Sequence, residues 1–264
     1  MEFHIAREEL IRALQRVQGI VERRSTNPII ANVLLRAETS AGLVVTATDT
    51  EISFVGTYAA QVTVDGEITI EAKHLFDIAR NLPTPEVSVK SADDAPLEVE
   101  IRSGKAYFRV KGMAAESFPP VPGMAGEASM QMTAADLRRV IERTAFSISS
   151  DDTRTGLNGA SLEAMDESRL RLVATDGHRL SHCKRSESLP VKESKGVIGP
   201  AKALDQLLRL LPDEGDLELG IGESQAFFRT DGVSLFTRLI EGPFPNYSQV
   251  VPKANENELS VATD

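Results

Sequence analysis

The chain has 264 residues, 41% hydrophobic and 26% charged, with no tryptophan and a formal net charge of −10. That length accommodates two ordinary domains, and no stretch approaches the ~18 uncharged apolar residues of a membrane-spanning helix. A single cysteine, Cys183, excludes an internal disulfide, and the opening "MEFHIAREEL" has neither the basic start nor the apolar core of a secretion signal, so a cytoplasmic protein without membrane association is expected.

In chain order, Phe3 and Ile5 alternate as in a short strand, and Leu10, Leu14 and Val17 form the stripe of an amphipathic helix spanning Arg7–Arg24. Strands are expected over "NVLLRAE", "LVVTATD" and "GEITIEA", then a helix Lys73–Leu82 that Leu82-Pro83 stops. "EVSVKS", "LEVEIRSG" and "AYFRVKG" follow as strands, and the Pro- and Gly-rich segment 116–129 reads as a linker. Met130 and Met132 then open a new strand, and Thr133-Ala-Ala-Asp136 resembles a capping box for a helix Leu137–Arg143 with Leu137, Val140 and Ile141 as its stripe. "RLRLVATD" and "KGVIGPA" are strand-like, Lys202–Leu211 is helical up to Leu211-Pro212, and "LELGIG", "AFFRTDG" and "SLFTRLIEG" close the series.

These signals occur twice. Thr48-Asp49 and Leu10 recur 127 residues later as Thr175-Asp176 and Leu137, while Lys73 and Arg80 recur at 129 as Lys202 and Arg209. Two head-to-tail copies follow, each about six strands and two helices, with the helices on one side of antiparallel sheet: an α+β fold. Leu259 and Val261 match Met130 and Met132 at 129, so the last residues are expected to begin a third copy. The expected domains are 1–125, 126–253 and the start of a truncated one at 254–264.

The four expected helices together carry +6, which leaves −16 for the rest. Arg12 and Arg16 stand four apart, as do Arg139 and Arg143, so each pair shares a helical face. One basic helix is also what ordinary solvated surface looks like; four of them on an acidic body point to one cationic face.

Catalytic signals are sparse. No G-x-x-x-x-G-K-[ST] loop and no G-x-S-x-G elbow is present, and Gly220-x-Gly222 is a turn. Asp176, His178 and His182 would point to one side of a strand and Cys183 to the other, so neither a metal nor a cofactor is expected. "TDGHRL" (175–180) ends a strand in a tight turn that presents His178 and Arg179 beside Leu180. Its first-copy counterpart, "TDTEIS", keeps Thr-Asp but lacks the Gly, His and Arg, a divergence that points to a binding role in the second copy.

Arg24, Ser25, Thr26, Pro28 and Asn32, "TDTE" (48–51), Arg154 with Leu157-Asn158-Gly159, "ATDGHRL" (174–180) and "FPNY" (244–247) together resemble the bacterial DNA polymerase III beta-subunit family of replicative sliding clamps, in order along the whole chain. The resemblance implies tandem processivity-fold (DNA-clamp) domains, three per chain in the family, with two chains closing head to tail as a ring around double-stranded DNA and no catalysis. It implies that Arg24, Lys73, Arg80, Lys202 and Arg209 face DNA. It further implies a pocket for short peptide motifs of the DNA polymerase III catalytic subunit, the clamp loader and repair proteins, to which this chain would contribute Leu157, Thr175, Gly177, His178, Arg179, Leu180, Pro245 and Val250. Because the chain stops at Asp264, ring closure as a homodimer is not expected of it, and peptide binding is expected to be weakened. Two rivals stand beside this reading: an enzyme using Asp176 and His178, and a repeat scaffold that binds proteins without encircling DNA.

Overall fold

A computed structural model describes residues 1–22, 27–123, 129–151, 153–165, 169–184, 196–230 and 232–251. Arg24 and the expected third repeat at 254–264 lie outside the described residues.

Strand β1 (Glu2–Ala6) buries Phe3 and Ile5 and leads directly into α1 (Arg7–Val17), which buries Leu10, Ala13, Leu14 and Val17. Spacings of three and four residues put this stripe on one face. The helix ends at Val17, well before the expected Arg24. Gln18 caps it, donating from Nε2 to the carbonyls of Leu14 and of Ala72, both at 3.2 Å. Gly19 then passes so close to the Gln206 side chain that a Cβ could not fit without displacing it.

The first half continues through β2 (Asn32–Glu38), β3 (Gly42–Thr48), β4 (Ile52–Tyr58), β5 (Ala60–Val64), β6 (Gly66–Glu71), α2 (Ala72–Arg80), β7 (Glu86–Ala92), β8 (Ala95–Ser103) and β9 (Ala106–Lys111). The second half runs β10 (Ser129–Thr133), α3 (Ala134–Glu142), β11 (Gly159–Met165), β12 (Arg169–Thr175), β13 (Leu180–Lys184), β14 (Val197–Pro200), α4 (Ala201–Leu210), β15 (Asp216–Ile221), β16 (Gln225–Thr230) and β17 (Val233–Arg238). At α3 the Thr133 hydroxyl accepts the Asp136 N–H at 3.2 Å, half of the expected capping box.

The halves therefore repeat one order of elements, with more strands than the sequence patterns indicated: nine in the first and eight described in the second. The strands that the patterns missed are β4, β5, β11 and β13. In β4 the alternation Ile52-Ser53-Phe54 breaks at Val55-Gly56; β5 is a five-residue run, Ala-Gln-Val-Thr-Val, half to fully exposed, and β13 is five residues of mixed character.

Every described strand pairing is antiparallel, in three sheets ordered β5-β1-β7-β8-β9, β10-β15-β16-β17-β4-β3-β2-β6 and β13-β12-β11-β14. The second sheet crosses from one half to the other. Its seam is β17 against β4, with Leu235 opposite Phe54 and Phe236 opposite Ser53. Backbone bonds from Thr57 N to Gly232 O (2.8 Å) and from Arg238 N to Glu51 O (2.9 Å) extend the ladder at both ends. Leu235 and Phe54 are fully buried, and the apolar faces of all four helices join one core shared by the two halves.

Candidate nucleic-acid groove and partner-binding turn

Burying one stripe of an amphipathic helix turns the other outward. On α1, α2 and α4 the outward stripes converge on a groove of about 830 Å³ at the junction of the halves. Arg12 and Arg16 of α1, Lys73 and Arg80 of α2 and Arg209 of α4 line it, against Asp77 as the single acid among the described lining residues. Arg12 pairs with Glu9, and Arg209 pairs with Asp205 at 2.8 Å. Arg80 lies over the Phe76 ring, 5.4 Å from its centroid, and Arg16 reaches the Tyr58 hydroxyl at 3.5 Å. Lys73 and Arg80 hold no ion pair among the described residues. Such a groove concentrates positive potential on a molecule that is acidic elsewhere.

Lys202, two turns before Arg209 on α4, is engaged otherwise: its Nζ pairs with Asp49 of the other half at 2.5 Å. Arg139 on α3 and Arg143 at its C-cap are exposed and do not line the groove. Two more arginines of the basic helices act inside the fold. Arg7 donates to the Leu82 carbonyl (2.7 Å), and Arg138 donates to those of Leu208 (3.3 Å) and Leu211 (2.7 Å). In each half, an arginine of the first helix thus binds carbonyls at the end of the second, where helix carbonyls lack partners.

The "TDGHRL" segment forms the turn between β12 and β13. Thr175 Oγ1 accepts the Gly177 N–H (3.1 Å) and donates to the Arg179 carbonyl (2.7 Å). Asp176 Oδ1 accepts the N–H groups of His178 (2.9 Å) and Arg179 (3.0 Å), and Oδ2 accepts from the Arg179 guanidinium (2.9 Å). Gly177 takes φ +90°, where a side chain is strained. The first half builds the same turn: Thr50 N–H bonds to Thr48 Oγ1 at 3.0 Å, and Asp49 Oδ1 accepts from Glu51 (2.9 Å) and Ile52 (2.6 Å). There Thr50 occupies the left-handed position at φ +81°. One scaffold carries two uses: Asp49 holds Lys202 across the seam, while Asp176 holds its own Arg179 and leaves His178 exposed.

The backbone N–H groups of Arg179 and His178, more than the guanidinium, hold the Asp176 carboxyl down at about 2, from a usual 3.8. A folded-state value below the unfolded one means that this stabilisation is full above pH ~4 and is lost as pH falls towards 2. A carboxyl titration followed by NMR should accordingly place the Asp176 midpoint near pH 2, with the His178 and Arg179 amides shifting in step; a midpoint near 4 would mean that the turn does not hold the carboxylate in solution.

Of the other residues expected to form the pocket, Leu157 lies in the single helical turn 155–157 and Leu180 opens β13, while Pro245 and Val250 follow β17. Leu157 and Leu180 are half-buried, while Pro245 and Val250 are exposed, Val250 by 69%. Arg154 donates to the Asp176 carbonyl at 3.3 Å and sits against Gly177, and Phe146, 58% exposed, lies under the Arg179 guanidinium at 5.8 Å. Neither residue was among the expected site residues; Arg154 was visible as part of the "R..LNG" motif, whereas an exposed Phe146 carries no sequence signal. The turn containing Leu157 abuts the segment after β17, for a Cβ on Gly156 would lie 3.7 Å from the Pro243 carbonyl. Asp176 and His178 belong to the turn and His182 to β13, so the single-strand frame used to weigh them as ligands does not apply.

The profile of the DNA polymerase III beta subunit N-terminal domain matches residues 1–122, and that of its central domain matches residues 131–246. The chain belongs to the DNA polymerase III beta-subunit family. Among the relatives of this sliding-clamp family, the beta sliding clamp of Pseudomonas putida is 36% identical over 258 residues, covering 97% of this chain and 69% of that protein. The beta sliding clamp of Escherichia coli is 36% identical over 270 residues, covering 100% and 71%. The solved DNA polymerase III subunit beta of Pseudomonas aeruginosa superposes with a TM-score of 0.90 at 34% identity, covering 97% of this chain and 69% of that one. A sliding clamp (DNA polymerase III subunit beta) from Bartonella birtlesii, solved bound to griselimycin, gives 0.90 at 33% identity with the same coverage.

Proposed function

We propose that this chain acts as a DNA sliding clamp, a processivity factor without catalysis of its own, and that it works in the cytoplasm. It contributes tandem clamp domains, 1–125 and 126–253, to a ring around double-stranded DNA, and residues 254–264 open a third. The observation that carries this reading is the convergence of Arg12, Arg16, Lys73, Arg80 and Arg209 in one groove of an otherwise acidic protein. A groove lined by mobile cations contacts phosphates without reading bases, and weak, sequence-independent contact permits sliding. Arg24 and Lys202 complete the DNA-facing set on this reading. Topology, not affinity, then holds the protein on DNA.

The second site is a partner-peptide pocket. Leu157, Leu180, Pro245 and Val250 supply apolar walls for hydrophobic anchors, while Thr175, Gly177, His178 and Arg179 fix the peptide's orientation. Its occupants are short motifs of the DNA polymerase III catalytic subunit, the clamp loader and repair proteins.

Retention on DNA tests the ring. With a third domain joined to the chain, the loaded protein should stay on nicked circular DNA through a high-salt wash and leave once the circle is cut. Equal release from circles and linear molecules would reject encirclement.

A further inference from the structure

One half-buried cluster serves neither the groove nor the core. Glu163 of β11 and Arg171 of β12 are cross-strand partners, 3.3 Å apart and only 22% and 16% exposed. The Tyr247 hydroxyl inserts between them: it accepts from Arg171 Nη1 at 2.6 Å and donates to Glu163 Oε2 at 2.9 Å. Tyr247 belongs to the segment that leaves β17. That segment is tied to the sheet at Ile240, whose N–H bonds to the Ile198 carbonyl at 2.9 Å, and then swivels at Gly242, φ +108°. Beyond Tyr247 the Val250 N–H returns to the Tyr247 carbonyl at 3.0 Å in a single helical turn, and Phe244 packs edge-on against the Tyr247 ring at 6.4 Å.

We propose that the Glu163–Arg171–Tyr247 cluster is a latch that positions the wall formed by Pro245 and Val250, and so sets how tightly the pocket holds its ligand. The inference rests on the pocket reading given under Proposed function. Pro245 and Val250 flank Tyr247 by two and three residues and are exposed, and the Val250 N–H is tied to Tyr247 itself. Hydrogen bonds to a charged pair with little access to water are stronger and more directional than neutral ones. A wall fixed before the ligand arrives spares the cost of ordering it on binding.

Tyr247→Phe is the discriminating variant. It removes one hydroxyl, keeps the ring against Phe244, and leaves Glu163 and Arg171 paired with each other, so no buried charge is orphaned. Griselimycin serves as the probe, with binding followed by calorimetry and by stopped-flow dissociation, alongside hydrogen exchange at the Val250 amide and thermal unfolding. The expected result is roughly tenfold weaker binding, carried by faster dissociation, together with faster exchange at Val250 and an unchanged unfolding midpoint. Wild-type affinity in the variant overturns the latch, and so does weaker binding with unaltered Val250 exchange. All binding is measured with a third domain joined to the chain, and failure of that wild-type protein to bind griselimycin overturns the pocket reading itself, and the latch falls with it.

Discussion

Phe54→Ala should destabilise the protein by about 3–5 kcal/mol, the range for removing a fully buried aromatic side chain. Phe54 is 0% exposed and faces Leu235 across the seam between β4 and β17. The two side chains belong to different halves of the chain, yet they fill one core. The substitution therefore opens a cavity that neither half can close alone, because the backbone ladder on either side holds the strands at sheet spacing. Denaturant unfolding should give a lower midpoint for probes in both halves, not only in the first. Val55→Ala, on the half-exposed face of the same strand, should cost less than about 1 kcal/mol. A loss under 1 kcal/mol at Phe54 would mean that the halves meet without packing.

Reversing three charges in the groove, as Lys73→Glu, Arg80→Glu and Arg209→Glu together, should weaken binding to short linear duplexes by about two orders of magnitude. It should also flatten the dependence of log affinity on log salt by roughly 2 to 3, since each phosphate neutralised contributes ~0.9 to that slope. All three side chains are exposed, and Lys73 and Arg80 have no ion pair among the described residues to lose, so the fold should be spared. Fluorescence anisotropy of a labelled duplex at low salt is the measurement. Arg102→Glu makes the control, because that guanidinium lies over Tyr107 on the β8–β9 hairpin and pairs with Glu100, away from the groove. An unchanged slope in the triple variant would remove the groove as a DNA-facing surface.

The repeat was legible because its markers are chemical as well as periodic. Thr-Asp at 48 and 175 marks a turn in which the hydroxyl and carboxylate satisfy the same backbone groups in both halves. Helices were legible from their stripes, but not their ends: α1 stops at Val17, and Gly19 just beyond it passes against the Gln206 side chain, a contact between residues far apart in sequence. The basic faces were overcounted for a related reason. Arg7 and Arg138 look like solvated cations in sequence, and only the tertiary fold supplies the carbonyls that engage them. Lys202 matches Lys73 by position in the repeat, yet it meets Asp49 of the other half, whereas Lys73 has no acid paired with it among the described residues. The pairing of β17 with β4 was invisible, since alternation announces a strand without naming its neighbour. The clustering of Glu163, Arg171 and Tyr247 was hidden in the same way.

Beneath the side chains that pack across it, the seam between the halves is a ladder of peptide groups, which every sequence shares. Its angle follows from strand twist, fixed in hand by the chirality of the chain, with adjacent strands rotated by roughly 20–25°. Side chains along the seam can drift through evolution and tighten or loosen the joint while its bend stays the same. The curvature an encircling protein needs is in this way inherited from the backbone, and mutation is left free to tune the lining and the rim.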